Sequence, residues 1–168
     1  MKKTNLLTIL LFISIFSFSQ KFAYVDTDYI LKKIPEYTQA EEQINKYSNQ
    51  WQQEIENGYK NIEEMYKAYQ SEQILLTKEM KIKREEGIIE AEKSIQNLQQ
   101  KYFGSDGDLF KKRTELVTPI QNRILDAIQQ LAANNKYSII FDTSSDLIML
   151  YTNPDLDKSD RVLEIMGY

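Results

Sequence analysis

Neither cysteine nor histidine occurs in this sequence. The first absence excludes disulfides, thiolate nucleophiles and zinc-thiolate centres together. The second removes the side chain most often used as a general base near neutral pH. Proline and glycine are scarce as well, three and five in 168 residues, so few positions force the chain to turn. Leucine is missing altogether between Pro35 and Ile74. The longest apolar run, Leu6 to Phe18, falls short of the about 20 residues needed to cross a bilayer comfortably.

That run has instead the layout of a secretory signal over 1–19. Lys2 and Lys3 supply the positive start, Leu6 to Phe18 the apolar stretch, and Ser17 and Ser19 the small residues before a cut at Gln20. No cysteine follows it, which argues against a lipoprotein. The whole chain has a formal charge of -4 and a mean hydropathy of -0.52, and loss of Lys2 and Lys3 makes the remainder more acidic. Such a balance does not point to nucleic acid. A secreted chain of this size without disulfides is expected to draw stability from oligomerisation.

What the sequence does contain is a long helical pattern, from Pro35 to Asn134. Tyr37, Ala40, Ile44, Tyr47, Trp51, Ile55, Tyr59, Ile62, Tyr66 and Tyr69 recur in steps of three and four, the spacing of one helix face. A single helix over the whole stretch would run about 150 Å at about 1.5 Å per residue with that stripe bare to water. Two helices folded back on each other bury it. The repeat stutters after Trp51, which relaxes a left-handed supercoil. Tyrosines dominate where a tight seam would use leucine, isoleucine and valine, as suits a stripe that is partly wet or meets changing partners.

The tip is expected at Gln70 to Thr77, with Thr77 capping a returning helix at Met80. Ile88, Ala91, Ile95, Leu98 and Tyr102 carry the return stripe. Phe103-Gly104-Ser105-Asp106-Gly107 reads in isolation as a loop, yet Tyr102, Leu109 and Leu116 keep heptad spacing and Ile120, Ile124, Ala127 or Ile128, and Leu131 continue it. A locally distorted helix and a true interruption are both open there. Pro119 is expected to bend rather than end the helix, and Asn134 and Asn135 to cap it.

At the two ends lie the elements of a small base, 20–34 and 135–168. Phe22 to Val25 reads as a strand, Asp26 and Thr27 as a cap, and Tyr29 to Ile34 as two helical turns before Pro35. Tyr137 to Phe141 reads as a second strand, paired as a hairpin with a third over Leu147 to Tyr151 across a polar turn at Asp142 to Asp146. Asn153 and Pro154 turn the chain, and Asp157 with Asp160 caps a final helix through Val162, Leu163 and Met166 that Gly167 stops. The fold class is therefore α+β, predominantly helical: a long antiparallel helical hairpin on a small sheet base. Three short strands are marginal alone in water. Phe22, Tyr24, Val25, Ile139, Phe141, Ile148, Leu150 and Tyr151 are expected to be buried where several copies join at the base.

The pieces K-F-A-Y-V-D (Lys21 to Asp26), R-T-E-L-V-T-P-I-Q (Arg113 to Gln121), Y-S-I-I-F-D (Tyr137 to Asp142) and D-K-S-D-R-V-L-E-I (Asp157 to Ile165), in this order around the hairpin, resemble the Skp/OmpH family of periplasmic chaperones. The resemblance covers the whole chain after the leader. It implies a periplasmic homotrimer with a β-sheet body and three helical tentacles around a cavity that holds unfolded outer-membrane proteins. The best-known members are strongly basic whereas this chain is acidic, and around its tip Lys78, Lys81, Lys83 and Arg84 are matched by Glu72, Glu79, Glu85 and Glu86. Neither a lipopolysaccharide site nor attraction to acidic clients is carried over.

The function so implied is that of an ATP-independent holdase. No G-x-x-x-x-G-K-[ST] motif is present, and no cofactor, metal, nucleic acid or stable membrane insertion is expected. Many weak apolar contacts hold a mobile client without fixing its conformation. Trp51, Tyr59, Met65, Tyr66, Tyr69, Met80, Ile82 and Ile89 are the candidates for them, those on the stripe competing with packing inside the hairpin and Met65, Ile82 and Ile89 lying beside it. The alternative is a non-enzymatic structural or adaptor coiled coil of the cell envelope, which needs a continuous rigid seam. Binding to a membrane surface lacks the required lysine-rich helix face. An enzyme is not expected: Glu41-Glu42, Glu63-Glu64 and Glu85-Glu86 sit among lysines on solvated faces, and Asp106 and Asp108 lack a calcium-loop pattern.

Overall fold

The computed structural model describes residues 20–145 and 148–168. The expected leader and Leu147, the first residue of the expected third strand, lie outside them. In order come strand β1 (Lys21–Val25), helix α1 (Thr27–Lys33), the long helices α2 (Pro35–Glu72), α3 (Lys78–Phe103) and α4 (Asp108–Asn135), strand β2 (Tyr137–Asp142), a single 3-10 turn at Pro154–Leu156 and helix α5 (Ser159–Met166). The chain divides into two compact units, one formed by its two ends, through Lys33 and from Arg123 onward, and one by Ile34–Asn122.

In the first unit β1 is held on both edges. It pairs in parallel with β2, Phe22 opposite Ile139 and Tyr24 opposite Phe141, after a shift of register at Lys21 and Phe22. On its other side Tyr24 bridges to Asp157, and the Tyr24 carbonyl accepts a hydrogen bond from the Lys158 amide at 2.9 Å. Parallel strands cannot be joined by a tight turn and need a long crossover; here everything from α1 to α4 is that crossover. Alternation along β1 buries Ala23 and Val25 together with Ile30, Ile124, Ala127, Leu131, Val162 and Leu163, while Phe22, Ile139 and Phe141 on the opposite face stay 38–48% exposed.

The expected hairpin between β2 and a third strand is not formed. The sheet among the described residues has two strands in the order β1-β2, and Ile148, Leu150 and Tyr151 are 86%, 98% and 83% exposed. A strand needs a partner for its backbone groups and a surface for its apolar face, and residues 148–151 pair with no strand among the described residues and leave their apolar side chains exposed.

The junction of β1 with α1 is fastened by side chains from the far end of the sequence. Asp26 caps α1 by accepting from the Tyr29 amide at 2.9 Å. The Asp26 amide donates to Ser159 Oγ at 2.8 Å, and that hydroxyl donates to Asp157 Oδ1 at 2.6 Å, so buried Ser159 leaves no polar atom idle. Asp142, at the end of β2, accepts from the Thr27 amide and hydroxyl at 3.2 and 2.7 Å and from the Ser144 amide and hydroxyl at 3.0 and 2.9 Å. Burial opposes its ionisation, but these hydrogen bonds outweigh it and hold the carboxyl below its ordinary value. At the opposite end of β2, Lys136 follows the last turn of α4 with a left-handed φ of 58°, a conformation that favours glycine.

In the second unit, Pro35 occupies the first turn of α2, where its missing N–H costs nothing. Thr77 accepts from the Met80 amide at 3.3 Å and opens α3, as the sequence leads one to expect. The glycine-marked segment is a true interruption: α3 ends at Phe103 and α4 begins at Asp108. A β-carbon on Gly107 would lie 2.7 Å from the Tyr102 carbonyl oxygen and 2.9 Å from the Gly104 amide nitrogen, so the tight turn at the break has room only for glycine there. After it the buried stripe resumes at Val117 and Ile120 rather than at Leu109 and Leu116, which are half-buried. Pro119 sits inside α4 without ending it.

Two outcomes follow for the first unit. Asp142 has a lower pKa folded than unfolded, so its stabilisation is present above the unfolded value of about 3.9 and is lost as pH falls through the folded value. Melting temperatures of the wild type and Asp142→Asn, followed by circular dichroism, should differ by several degrees at pH 7, and the difference should shrink as pH falls below the unfolded value of about 3.9; a difference unchanged down to the lowest pH at which the protein stays folded contradicts the assignment. Lys136→Gly should raise stability by about 1 kcal/mol in urea titrations, since a β-carbon is penalised at left-handed φ, with Lys136→Ala near neutral.

Candidate functional site

The second unit is where the sequence places contacts with a partner. Its two helices α2 and α3 run antiparallel, as their cross-pairs show: Tyr59 with Gln99, Tyr66 with Glu92, Tyr69 with Glu85 and Glu72 with Arg84. The stripe that read as unusually rich in tyrosine is thereby explained. A tyrosine leaning across the seam covers apolar surface with its ring and donates its hydroxyl to a polar group on the other helix. Tyr66 Oη donates to Glu92 Oε1 at 3.0 Å and Tyr102 Oη to Glu54 Oε2 at 2.9 Å; Tyr69 donates to Glu85. Each of these three phenols is held above its ordinary pKa, first by the hydrogen bond to its carboxylate and then by desolvation.

Nearer the break, Trp51 lies between two tyrosines. Its ring stacks on Tyr102 at 4.7 Å and 9°, and on Tyr47 at 5.5 Å and 28°. Lys101 stands 5.4 Å over the Tyr102 ring and Lys112 5.8 Å over Tyr47, so a lysine closes each end of the stack. Pairs of this kind contribute about 0.5–1.5 kcal/mol beyond burial. The stack ties α2 to the chain on both sides of the interruption and splints it.

A glycine on each helix faces a side chain of the other. Ile95 of α3 packs into the space at Gly58, where a β-carbon would come within 2.8 Å of its Cγ1. Reciprocally, Met65 of α2 lies over Gly87, but at an ordinary contact distance of 3.9 Å from such a carbon. Away from these points the seam is thin, with Ile55, Ile62 and Ile88 its buried side chains between Gln52 and Gln99.

Of the candidate contact residues, Tyr59, Tyr66, Met80, Ile82 and Ile89 are 42–61% exposed, while Trp51, Met65 and Tyr69 are half-buried in the pairings just described. Met80, Ile82 and Ile89 are therefore the free apolar groups, and Met65 is committed to Gly87. Of the candidate base residues, Val25 is 1% exposed inside its own unit, whereas Phe22, Ile139, Phe141, Ile148, Leu150 and Tyr151 are open. Sequence reasoning passed over Ile74 and Leu75, 87% and 86% exposed at the tip, although an Ile-Leu-Leu run in a turn is signal enough, since turns favour small polar residues. It also passed over Phe103, 39% exposed, which with Gln52, Ile55, Glu56, Tyr59 and Gln99 lines an open groove of about 410 Å³. Among the described residues no cluster of three or more acidic side chains is arranged to hold a metal ion, and no helix is long and apolar enough to cross a membrane.

Residues 21–166 match the model of a protein family described as "Outer membrane protein (OmpH-like)". An uncharacterised protein of Aquifex aeolicus (strain VF5) is 26% identical over 148 residues, which is 88% of this chain and 86% of that protein. A crystal structure from Caulobacter crescentus CB15, described as a candidate OmpH-like outer membrane chaperone, superposes with a TM-score of 0.69 over 87% of this chain and 83% of the other at 13% identity. At that identity the likeness is one of fold.

The two glycines make opposite forecasts. Gly58→Ala gains about 1 kcal/mol of helix propensity but forces Ile95 outward, and should lower the melting temperature, with Ile95→Ala restoring part of the loss in the double mutant. Gly87→Ala meets no obstacle and should stabilise by about 1 kcal/mol. Equal effects at the two positions would contradict the close approach at Gly58.

Proposed function

This chain belongs to the OmpH-like outer membrane protein family, and from that membership we propose that it is an ATP-independent periplasmic holdase for unfolded outer-membrane proteins. The observation that carries the reading is where apolar side chains are left. Met80, Ile82 and Ile89 beside the seam, and Ile74 and Leu75 at the tip, stand 45–87% exposed on an otherwise charged and polar pair of helices. Scattered apolar groups of this kind, methionine among them, give many weak non-directional contacts, which retain a mobile chain without selecting one conformation of it. Binding the unfolded state lowers its free concentration, and with it the rate of aggregation, by mass action. No hydrolysed nucleotide is required.

The working form is a homotrimer joined through the sheet unit. Phe22, Ile139 and Phe141 on the open face of the sheet and Ile148, Leu150 and Tyr151 after it are large apolar side chains left exposed, the kind of surface that marks an interaction site where it is contiguous. A second and third copy packed there would cover it, and would offer the 148–151 segment a partner that it does not find among the described residues.

The experiment is to dilute a urea-unfolded outer-membrane β-barrel into the mature protein without ATP and follow light scattering. The client should stay soluble at chaperone excess and sediment with an assembly of about three copies. Aggregation as fast as in buffer sinks the holdase reading. One folded partner bound at fixed stoichiometry would mark a structural adaptor instead, and a monomer that remains folded at nanomolar concentration would refute the shared base.

A further inference from the structure

The open groove between α2 and α3 has a composition that selects its occupant. Its apolar lining is Ile55, 8% exposed, with the more open rings of Tyr59 and Phe103, 47% and 39% exposed. The rest of the lining is two primary amides, Gln52 and Gln99, and one charge, Glu56. A buried aliphatic residue flanked by two aromatic rings takes a large apolar side chain. Each of the two amides both donates and accepts, which matches the N–H and C=O groups of an extended backbone. No cation lines the groove, so phosphate and carboxylate ligands are disfavoured, and Glu56 favours a basic residue beside the seated one.

The groove is also easily opened. Tyr59 Oη reaches Gln99 Oε1 at 3.3 Å, longer than the bonds of Tyr66 to Glu92 at 3.0 Å and Tyr102 to Glu54 at 2.9 Å, and its acceptor is a neutral amide where theirs are carboxylates. Neutral bonds are the weaker kind. A backbone N–H arriving at Gln99 therefore displaces little.

We propose that this groove is a discrete seat for one aromatic or large aliphatic side chain of an extended, unfolded polypeptide segment, its backbone bonded by Gln52 and Gln99 and its neighbouring position favoured as Lys or Arg by Glu56. The inference rests on the client-holding reading and adds to it a local preference in an otherwise non-directional surface. It does not require the tip or the sheet unit to bind anything.

The test uses the full mature protein and dye-labelled peptides of glycine and serine with one central residue, read by fluorescence anisotropy. A peptide with Phe between two Lys should bind at least about tenfold more tightly than the same peptide with Ala, the scale expected for a seated apolar side chain. Replacing the flanking Lys by Asp should weaken it about threefold at low salt, a difference lost at high salt and lost in Glu56→Gln. Phe103→Ala should erase the preference for Phe. Should that variant lose helix content by circular dichroism, Gln99→Ala, on an exposed position, decides: it should weaken the Phe peptide several-fold with helix content intact. Equal binding of the Phe and Ala peptides, or unchanged binding by both variants, overturns the seat. If that occurs while the wild type still suppresses aggregation of an unfolded barrel, the holdase reading survives alone. If peptide selectivity is found but aggregation is not suppressed, the seat stands and the holdase reading falls.

Discussion

The parallel pairing of β1 with β2 is the constraint on which the rest depends. A hairpin turn cannot join parallel strands, so the chain must travel out and back between them, and in this protein it does so as three long helices. That pairing alone would be too small to last in water. It is reinforced because β1 also accepts from Lys158 on its free edge and because Asp142 and Ser159, more than a hundred residues further on, fasten the start of α1. Local helix caps thus become long-range ties, made between residues 115 and 133 positions apart. Removing one tie loosens the capping of α1 and the closure of the sheet together.

The two-helix seam obeys a different economy. It buries few aliphatic side chains and uses tyrosines instead, of which Tyr59, Tyr66, Tyr69 and Tyr102 each reach from one helix to a carboxylate or amide on the other. Such bonds lie at the surface, where water competes for both partners and their net contribution is modest. Beyond the buried Ile55, Ile62 and Ile88, its contacts include the aromatic stack at Trp51 and Ile95 against Gly58. A seam of this kind holds its helices in register while leaving apolar groups such as Ile82 and Ile89 uncommitted, and segments with few buried apolar contacts open locally at low cost. That combination suits a surface that must yield to a chain of changing shape.

Much of this was legible in the residues. The period of three and four marks the helices, Thr77 marks the start of α3, Pro35 the start of α2 and Gly167 the end of α5, because each signal is local and steric. What was not legible depends on neighbours distant in sequence. Nothing in Tyr137 to Asp142 says that its partner is β1 in parallel rather than the next segment in a hairpin, since alternation of side chains is the same in both. The break between Phe103 and Asp108 preserves heptad spacing on paper, and only the fold shows that the helix stops there, in a turn tight enough that a β-carbon at Gly107 would meet the Tyr102 carbonyl. Phe103, the last residue of α3, was hidden with it. The tyrosine stripe was correctly seen as odd, but its hydroxyls could not be matched to Glu92, Glu85 and Glu54 before the antiparallel register was known.

The protein thus joins two units of unequal stability, a sheet unit locked by long-range ties and a helical pair with few buried apolar contacts, and on the proposed function it is the helical pair that receives unfolded chain. Amide hydrogen exchange followed by mass spectrometry, with and without an unfolded outer-membrane barrel, tests that claim most directly. The account predicts slow exchange for β1, β2 and α1, faster exchange in α2 and α3 that increases toward Ile74, and added protection on client binding concentrated in α2 and α3. Uniform exchange across both units, or client-induced protection confined to the sheet unit, would contradict it.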